Sequence, residues 1–202
     1  SLSATMRRRA LLRTGGAGII VGVSGCLSAR ETVLDRQPYE TDPETLPYPT
    51  WGEAVPEVTL PDPISGEQVT TSAVGVPAAY TFFFSHCMSV CPILIGTLRN
   101  VQASVAGSNH QERVRFLPIT FDPARDDGHR LEEYAGEMNV DLTAGNWAFL
   151  RPESVGRAET VVTERFGVVF ERTEETDKGY MFAHTALTLL VNAEGVVERA
   201  SR

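Results

Sequence analysis

The sequence places two of its three cysteines four residues apart, in the segment FFFSHCMSVCP at residues 82–92. Cys87 and Cys91 follow an apolar run of strand length and precede Pro92, which suits the first turn of a helix. A helix N-terminus offers free N–H groups and positive partial charge, which stabilise a thiolate and lower its pKa. Two thiols at this spacing can face the same way, so they could form a disulfide or bind one metal ion.

Three kinds of chemistry are open to this pair. A structural disulfide would close only a short loop and would stabilise the fold little, because longer loops restrict the unfolded chain more. A redox pair is usually spaced by two residues, whereas three separate these cysteines. Two thiolates alone make a poor zinc site, which requires four ligands, but two thiolates and an imidazole suit copper. The position between a strand and a helix favours redox or metal chemistry over a structural disulfide.

A metal site needs a further ligand, and the chain has four histidines. His110 and His129 lie in polar segments typical of solvated side chains. His86 adjoins the first cysteine, but we expect its ring to point away from it. His184 begins an apolar run of strand length at residues 185–191. On the pattern alone, such a histidine more often satisfies a local hydrogen bond than binds a metal.

The first 25 residues are predicted to be an export signal that does not belong to the fold. A basic head at residues 7–13 contains an arginine pair that resembles a twin-arginine signal. The glycine-rich stretch that follows is too short and too weakly apolar to span a bilayer. It ends in Val-Ser-Gly-Cys, which resembles a lipobox. We therefore expect Cys26 to be lipidated and to anchor the protein on the outer face of the cytoplasmic membrane.

A tether at residues 26–54 is expected to hold a domain at residues 55–202 away from the membrane. Seven of the 12 prolines lie between Pro38 and Pro63. Such a segment is extended and semi-rigid. Export would also place the thiols of the domain in a compartment where they can oxidise.

The composition predicts a folded, acidic protein. Hydrophobic residues make up 42% of the chain, which is enough for a substantial core. The formal net charge is −8, which would repel nucleic acid, and the sequence contains no basic patch with interleaved aromatic residues. We therefore expect no nucleic-acid partner.

Strand-length apolar runs and helical spacing alternate along the domain and predict an α/β fold. The expected elements are strands at 68–72, 78–84, 114–121, 147–150, 168–170, 182, 186–191 and 196–197, and three helices, which start at 92, run through 131–138 and span 154–166. Pro92 is predicted to occupy the first helical position, and Asp126 or Asp127 to cap the second helix. This order predicts a mixed central sheet with helices on both faces.

Three motifs together resemble the Sco/SenC family of membrane-tethered, thioredoxin-like copper proteins. They are the cysteine segment at residues 84–92, the segment Ile-Thr-Phe-Asp-Pro-Ala-Arg-Asp at 119–126, and His-Thr at 184–185 ahead of the turn at 192–195. The motifs occur in the family's order and spacing, and the resemblance covers roughly residues 55–202.

The resemblance implies a thioredoxin-like domain that binds copper, Cu(I) or Cu(II), through Cys87, Cys91 and His184. It also implies that the two cysteines can form a disulfide. The implied partner is the copper-centre subunit of cytochrome c oxidase, whose binuclear copper centre the family helps to assemble. We expect a metallochaperone rather than an enzyme.

Two other functions use the same thiols. In a thiol–disulfide oxidoreductase, Cys87 would attack a client disulfide and Cys91 would resolve the mixed disulfide. A peroxide-reducing enzyme on the same fold is a third possibility. The spacing of the cysteines, the downstream histidine and the lack of a recognisable peroxidase motif favour a copper protein over this last alternative.

The chain departs from the family's pattern at three places. Met88 stands where the family usually has proline, and we expect it to fill the loop, with a weak thioether contact to the metal as the alternative. Ala183 replaces an aspartate that commonly precedes the ligand histidine, so a charge behind the metal site is missing. The sequence ends at Arg202, where a thioredoxin-like fold would continue into a helix. Either the sequence stops short of that helix, or the helix is absent and one face of the sheet is left exposed. The segment at 122–126 is interpreted as a turn and a helix cap, with a supporting role beside the metal as the alternative.

Overall fold

The computed structural model describes residues 32–38, 41–173, 175 and 179–202 of the chain. The predicted export signal and the predicted lipidation site at Cys26 lie outside the described residues and stay predictions. Within the described ranges, no helix combines the length and the apolar character needed to cross a membrane.

The described residues form eight strands and three helices. In chain order they are β1 (Thr59–Pro61), β2 (Gln68–Thr70), β3 (Ala78–Phe83), α1 (Val90–Gly107), β4 (Arg115–Thr120), α2 (Gly128–Glu137), α3 (Val155–Ala158), β5 (Phe170–Arg172), β6 (Phe182–His184), β7 (Thr188–Val191) and β8 (Val197–Ser201). Helix α3 continues directly as a π-helix over Glu159–Arg165. Short 3-10 turns lie at Pro43–Thr45, Gln111–Arg113 and Leu142–Ala144.

The central sheet has four strands in the order β4-β3-β7-β8. β3 pairs in parallel with β4 and antiparallel with β7, and β8 runs antiparallel to β7. Parallel neighbours need a crossover connection, and α1 provides it between β3 and β4. The predicted mixed sheet is therefore confirmed. Two antiparallel pairs, β1–β2 and β5–β6, lie outside this sheet.

Helices cover both faces of the central sheet, as predicted. All six residues of β3 are buried, which explains why its sequence is continuously apolar and does not alternate. On one face, the Phe82 ring lies 5.2 Å from that of Phe166, which follows the π-helix. On the other face, Phe83 stacks on Tyr134 of α2 with ring centroids 5.6 Å apart.

The start of α1 differs from the prediction, and the structure decides which of two aspartates caps α2. Helix α1 begins at Val90, so Pro92 is the third helical residue and the prediction that it occupies the first position is wrong. Proline is tolerated there because the N–H groups of the whole first turn have no acceptor within the helix. Asp127 caps α2 by accepting a hydrogen bond from the Arg130 N–H at 2.8 Å. Asp126 is buried and is not the cap.

The strand predicted at 147–150 forms only isolated bridges. Trp147 pairs with Phe116 and Leu150 pairs with Ile119, both in parallel with β4. Four backbone hydrogen bonds join residues 146–150 to β4, so the segment lies along the edge of the central sheet although it forms no continuous strand.

The packed part of the chain extends N-terminal to residue 55, where the domain was predicted to begin. Tyr48 and Thr50 are buried. Gly167 has a φ of +69° and lies so close to Pro47 that an added Cβ would be 1.9 Å from the Pro47 carbonyl oxygen. Only glycine accepts both conditions, so the contact of this segment with the domain depends on it.

A second N-terminal contact is made by Glu198 of β8, which is buried. Its two carboxylate oxygens accept hydrogen bonds from the backbone N–H groups of Val33 and Leu34, each at 2.6 Å. The Asn192 side-chain amide donates a third bond at 2.9 Å. A buried carboxylate needs such donors, and these three bonds fix residues 33–34 of the predicted tether on the sheet.

An apolar groove lies between α1 and the central sheet. Leu98, Val101 and Leu190 line it, and its volume is about 300 Å³. Val101 is 45% exposed and Leu190 is 41% exposed. Among the described residues, the cover over this part of the sheet is therefore incomplete.

Candidate metal centre

The cysteine segment, residues 84–91, connects β3 to α1. The Cys87 N–H donates to the Phe84 carbonyl oxygen at 3.2 Å, which turns the chain directly after the strand. Cys91 is the second residue of α1. Both cysteines are buried, and both are free thiols. The predicted disulfide is not formed in this structure and stays a prediction for the oxidised protein.

The histidine hairpin, formed by β5 and β6, carries His184 at its end, where it pairs with Phe170. His184 Nδ1 lies 3.2 Å from the carbonyl oxygen of Thr185. A carbonyl only accepts hydrogen bonds, so Nδ1 carries the proton and Nε2 keeps a free lone pair. Nε2 lies 3.4 Å from Cys91 Sγ, although 93 positions separate the two residues.

The three residues singled out from the sequence converge in space. One possible ligand atom each from Cys87, Cys91 and His184 lies within 4.8 Å of the other two. In the part of the chain that the structure describes, this is the one group of three or more histidine, cysteine or acidic side chains that could hold a metal ion. A single ion could contact all three atoms.

The two thiols differ in acidity because they are hydrogen-bonded to each other. The bond from Cys91 lowers the pKa of Cys87 well below its usual range, and a bond with Ser89 lowers it further. The same bond and burial raise the pKa of Cys91. The pair therefore shares one proton near neutral pH, with the negative charge on Cys87. A thiolate is the form that binds a soft metal or attacks a disulfide.

Aromatic rings surround the imidazole. The His184 ring centroid lies 5.0 Å from that of Phe121 and 6.2 Å from that of Phe84. Phe182, on the same strand as His184, packs edge-on against Phe84 at 5.2 Å. Phe84 and Phe121 are buried. These rings restrict the orientation of the imidazole and exclude water from one side of the cluster.

The other histidines and Met88 lie outside the cluster. His86 turns toward Asp126, with 3.8 Å between its Nδ1 and the carboxylate. His110 is exposed, and His129 is 80% exposed in its side chain. Met88, which we expected to fill the loop, is 73% exposed.

Asp126 has a supporting role near the cysteines, which the sequence interpretation left open as the alternative to a helix cap. Its carboxylate is buried and accepts hydrogen bonds from the Ser85 N–H and from the hydroxyls of Ser85 and Thr120, the latter two at 2.6 and 2.5 Å. Burial raises the pKa of Asp126. The contact holds the end of β3 two residues before Cys87. The sequence contains one indication of this role. Asp126 and Asp127 are adjacent, and a helix cap uses only one of them, which leaves the other free for a different contact.

The donor set fits a soft metal ion. Thiolate sulfur and imidazole nitrogen are ligands of copper and of zinc. Structural zinc sites take four protein ligands. The described residues bring only three histidine, cysteine or acidic side chains together here. A sulfur-rich site with three donors favours Cu(I), which tolerates a low coordination number.

Comparison with known proteins identifies related chains. The family profile described as SCO1/SenC matches residues 63–201. The SCO1 protein homolog of Bacillus subtilis (strain 168) is 26% identical over 116 residues, which are 57% of this chain and 56% of that protein. The match thus spans little more than half of that relative's length.

Solved structures with the same fold include two Sco proteins. Bradyrhizobium japonicum ScoI with copper bound superposes with a TM-score of 0.61 at 24% identity, covering 74% of this chain and 88% of that one. BsSco, described as a member of the Sco family of cytochrome c oxidase assembly proteins with a disulfide switch, gives a TM-score of 0.58 at 21% identity, covering 75% and 83%. These matches confirm the predicted thioredoxin-like fold.

Proposed function

Because the chain belongs to the SCO1/SenC family, we propose that it binds copper and assists assembly of the binuclear copper centre of a cytochrome c oxidase. The observation that carries this proposal is the convergence of Cys87, Cys91 and His184 within 4.8 Å. Related proteins support it, since one structural neighbour is described with copper bound and another as a member of an oxidase assembly family.

Each of the three residues has a distinct part in holding the copper ion, which is the cargo of the proposed function. Cys87 supplies a thiolate, because its pKa is lowered, chiefly by Cys91. Cys91 binds after its proton leaves. His184 offers Nε2, whose lone pair is kept free by the contact of Nδ1 with Thr185. The Thr185 carbonyl thus orients the imidazole by accepting the Nδ1 proton, a contact that the apolar side chain of Ala183 cannot make.

The proposal includes a membrane anchor and a partner. We place the protein on the outer face of the cytoplasmic membrane, attached through acyl chains on Cys26. The twin-arginine pattern and the lipobox-like Val-Ser-Gly-Cys support this location. The partner is the copper-centre subunit of a cytochrome c oxidase, which would accept the ion through its own soft ligands.

Copper titration of the reduced full chain and of the variant His184→Ala tests the ligand set. We expect the native protein to bind about one copper ion, and we expect the variant to lose more than roughly 100-fold in affinity, because removing a ligand affects metal binding more than removing a residue behind it. His129→Ala is the matched control, since His129 is exposed and outside the cluster. Equal copper affinity in His184→Ala and native protein would overturn the ligand set.

A second function, thiol–disulfide exchange, is favoured by the unequal acidity of the two thiols. The Cys87 thiolate would attack a client disulfide and form a mixed disulfide while one client thiolate leaves. Cys91, after losing its proton, would then attack Cys87 Sγ and release the second client thiolate. His184→Ala should retain this exchange, whereas Cys91→Ser should trap the mixed disulfide. Exchange lost in His184→Ala together with copper would argue against an independent redox function.

A further inference from the structure

The histidine hairpin is separate from the central sheet, so other contacts must hold His184 beside the cysteines. β5 and β6 form a two-stranded sheet of their own. β6 has only three residues, and none of them is fully buried. A two-stranded hairpin is marginally stable by itself in water. The contacts between this hairpin and the rest of the molecule therefore determine where the imidazole lies.

A closed set of polar contacts joins the hairpin to the loop between β4 and α2. The Tyr180 hydroxyl donates to one Asp122 carboxylate oxygen at 2.8 Å. Arg125 Nε donates to the other Asp122 oxygen at 2.5 Å, and Arg125 Nη1 donates to the Tyr180 carbonyl oxygen at 2.9 Å. Asp122 is only 2% exposed. Tyr180 is thus bound through both its side chain and its backbone, four residues before His184.

The Tyr180 ring is also held between two guanidinium groups. The guanidinium carbon of Arg125 and that of Arg172 each lie 3.6 Å from the ring centroid. Two such groups cannot occupy the same face of one ring at this distance, so they lie on opposite faces. Arg172 belongs to β5, which means that the stack runs from the loop through Tyr180 to the other strand of the hairpin. Cation–π attraction adds to the hydrogen bonds.

The same loop is bonded to the cysteine segment. Asp126, one residue after Arg125, accepts two hydrogen bonds from Ser85 near the end of β3. The loop thus contacts the chain on one side two residues before Cys87 and on the other side four residues before His184. The helix cap, by contrast, is made by Asp127 alone.

We propose that Asp122, Arg125 and Tyr180 form a latch that holds the histidine hairpin against the cysteine segment, so that they position His184 for copper without binding the ion. The effect of the latch on copper binding rests on the proposed function. The contacts that form the latch exist in the metal-free protein and can be tested there. These residues are positioning residues, because the hydrogen bonds and ring contacts described for them reach the hairpin and the loop and not the cluster.

Hydrogen–deuterium exchange of the copper-free full chain tests the latch directly. Asp122→Asn and Tyr180→Phe each weaken or remove a bond to the hairpin with little change in shape. We expect both to increase amide exchange in β5 and β6 by about tenfold or more, and to leave exchange in β3 unchanged, since local opening does not require opening of the sheet. Unchanged hairpin exchange in both variants would overturn the proposal.

Copper binding by the same variants supplies the second readout. We expect copper affinity to fall about tenfold, the usual effect of losing a residue that orients a ligand, and the thiolate-to-Cu(II) charge-transfer band to shift. Asp127→Ala is the matched control from the same loop. It should lower the melting temperature through loss of the cap but leave hairpin exchange and copper affinity unchanged. If Asp127→Ala changed hairpin exchange and copper affinity as much as Asp122→Asn does, the effect would not be specific to the latch residues and the proposal would be refuted.

The two proposals fail in different ways. Native protein that binds no copper would refute the proposed function, while the exchange experiment would still decide on the latch. Native protein that binds copper, together with latch variants that bind it equally well and exchange normally, would refute the latch alone. Should Asp122→Asn not fold, Tyr180→Phe and Arg125→Lys carry the same test, because both keep the bulk of the side chain.

Discussion

The cysteine segment follows a strand whose six residues are all buried, whereas His184 ends a strand of three residues that are all at least partly exposed. The first strand lies inside the four-stranded sheet, and the second lies in a separate pair. Displacing the cysteines requires opening the core, but displacing the imidazole requires only the loss of hairpin contacts. Two parts of one metal centre therefore differ in how strongly the fold fixes them.

Replacement of Phe83 by alanine should have the greatest effect, because this residue supports the cysteine segment from within the core. Phe83 is fully buried and packs on Tyr134 and Phe149. The cavity left in Phe83→Ala should lower the free energy of unfolding by about 3–5 kcal/mol, as measured by urea denaturation. Phe83→Leu keeps more volume and should cost less. A loss below about 1 kcal/mol for alanine would show that the segment is not coupled to the global fold.

The pH dependence of Cys87 alkylation should show that the lowered pKa of Cys87 does not depend on the hairpin. An ordinary thiol, with a pKa of about 8.5, reacts nearly 100-fold more slowly when the pH falls from about 8 to about 6. Since the pKa of Cys87 is lowered chiefly by Cys91, its rate should change little over this range.

Mass spectrometry of the alkylated peptide measures this rate for Cys87 alone. In Cys91→Ala the largest cause of the shift is gone, so the rate should become strongly pH-dependent. In His184→Ala most of the shift should remain. An ordinary pH dependence in the native protein would contradict the shared proton.

Replacement of Phe182 by alanine should affect the hairpin more than the sheet. Phe182 is partly buried and contacts Phe84, Phe121 and Phe170. Its loss should lower the free energy of unfolding by roughly 2 kcal/mol, less than for a fully buried ring. Hydrogen exchange should rise more in β5 and β6 than in β3. Glu171→Gln, at an exposed neighbouring position, should change neither the free energy of unfolding nor the exchange rates. An equal increase of exchange in β3 and in the hairpin of Phe182→Ala would contradict the separate stability of the hairpin.

The smallest effect is expected far from both regions, at the ion pair of Glu67 and Arg115. Two bonds of 2.8 Å join these side chains, but Glu67 is 44% exposed, so solvent weakens the pair. Arg115 lowers the pKa of Glu67, and the pair therefore stabilises the fold above the unfolded pKa of the carboxyl and loses this contribution as the pH falls. Glu67→Gln should lower the free energy of unfolding by less than about 1 kcal/mol at neutral pH, and less in acid. Copper affinity should not change.

The sequence predicted the elements whose burial leaves a simple pattern. The strand at β3 was recognisable because a strand covered on both faces is apolar throughout. The start of α1 was misplaced because every position of a first turn accepts proline, so Pro92 marks a helix start only to within a turn. The π-helix at Glu159–Arg165 was not foreseen, because apolar spacing over seven residues does not distinguish it from an α-helix.

In the site, too, residues close together in the sequence could be predicted, whereas residues that only the fold brings together could not. The cysteine pair was visible from spacing alone, whereas His184 was selected only through the family resemblance, since its approach to Cys91 depends on the closure of the whole fold. The latch was not predicted. Tyr180 and Asp122 are 58 positions apart, and no periodicity in the chain relates them.

The bonds from Val33 and Leu34 to Glu198 also set how far the domain could rise from a lipid surface. A fully extended chain covers at most roughly 3.5 Å per residue, so the stretch from residue 26 to residue 33 spans at most roughly 25 Å. With acyl chains on Cys26, as we propose, residues 26–33 and not the whole proline-rich segment would limit how far residue 33 lies from the membrane. Breaking the bonds of Val33 and Leu34 to Glu198 would free a longer part of the proline-rich segment, and the domain could then reach recipients farther from the membrane.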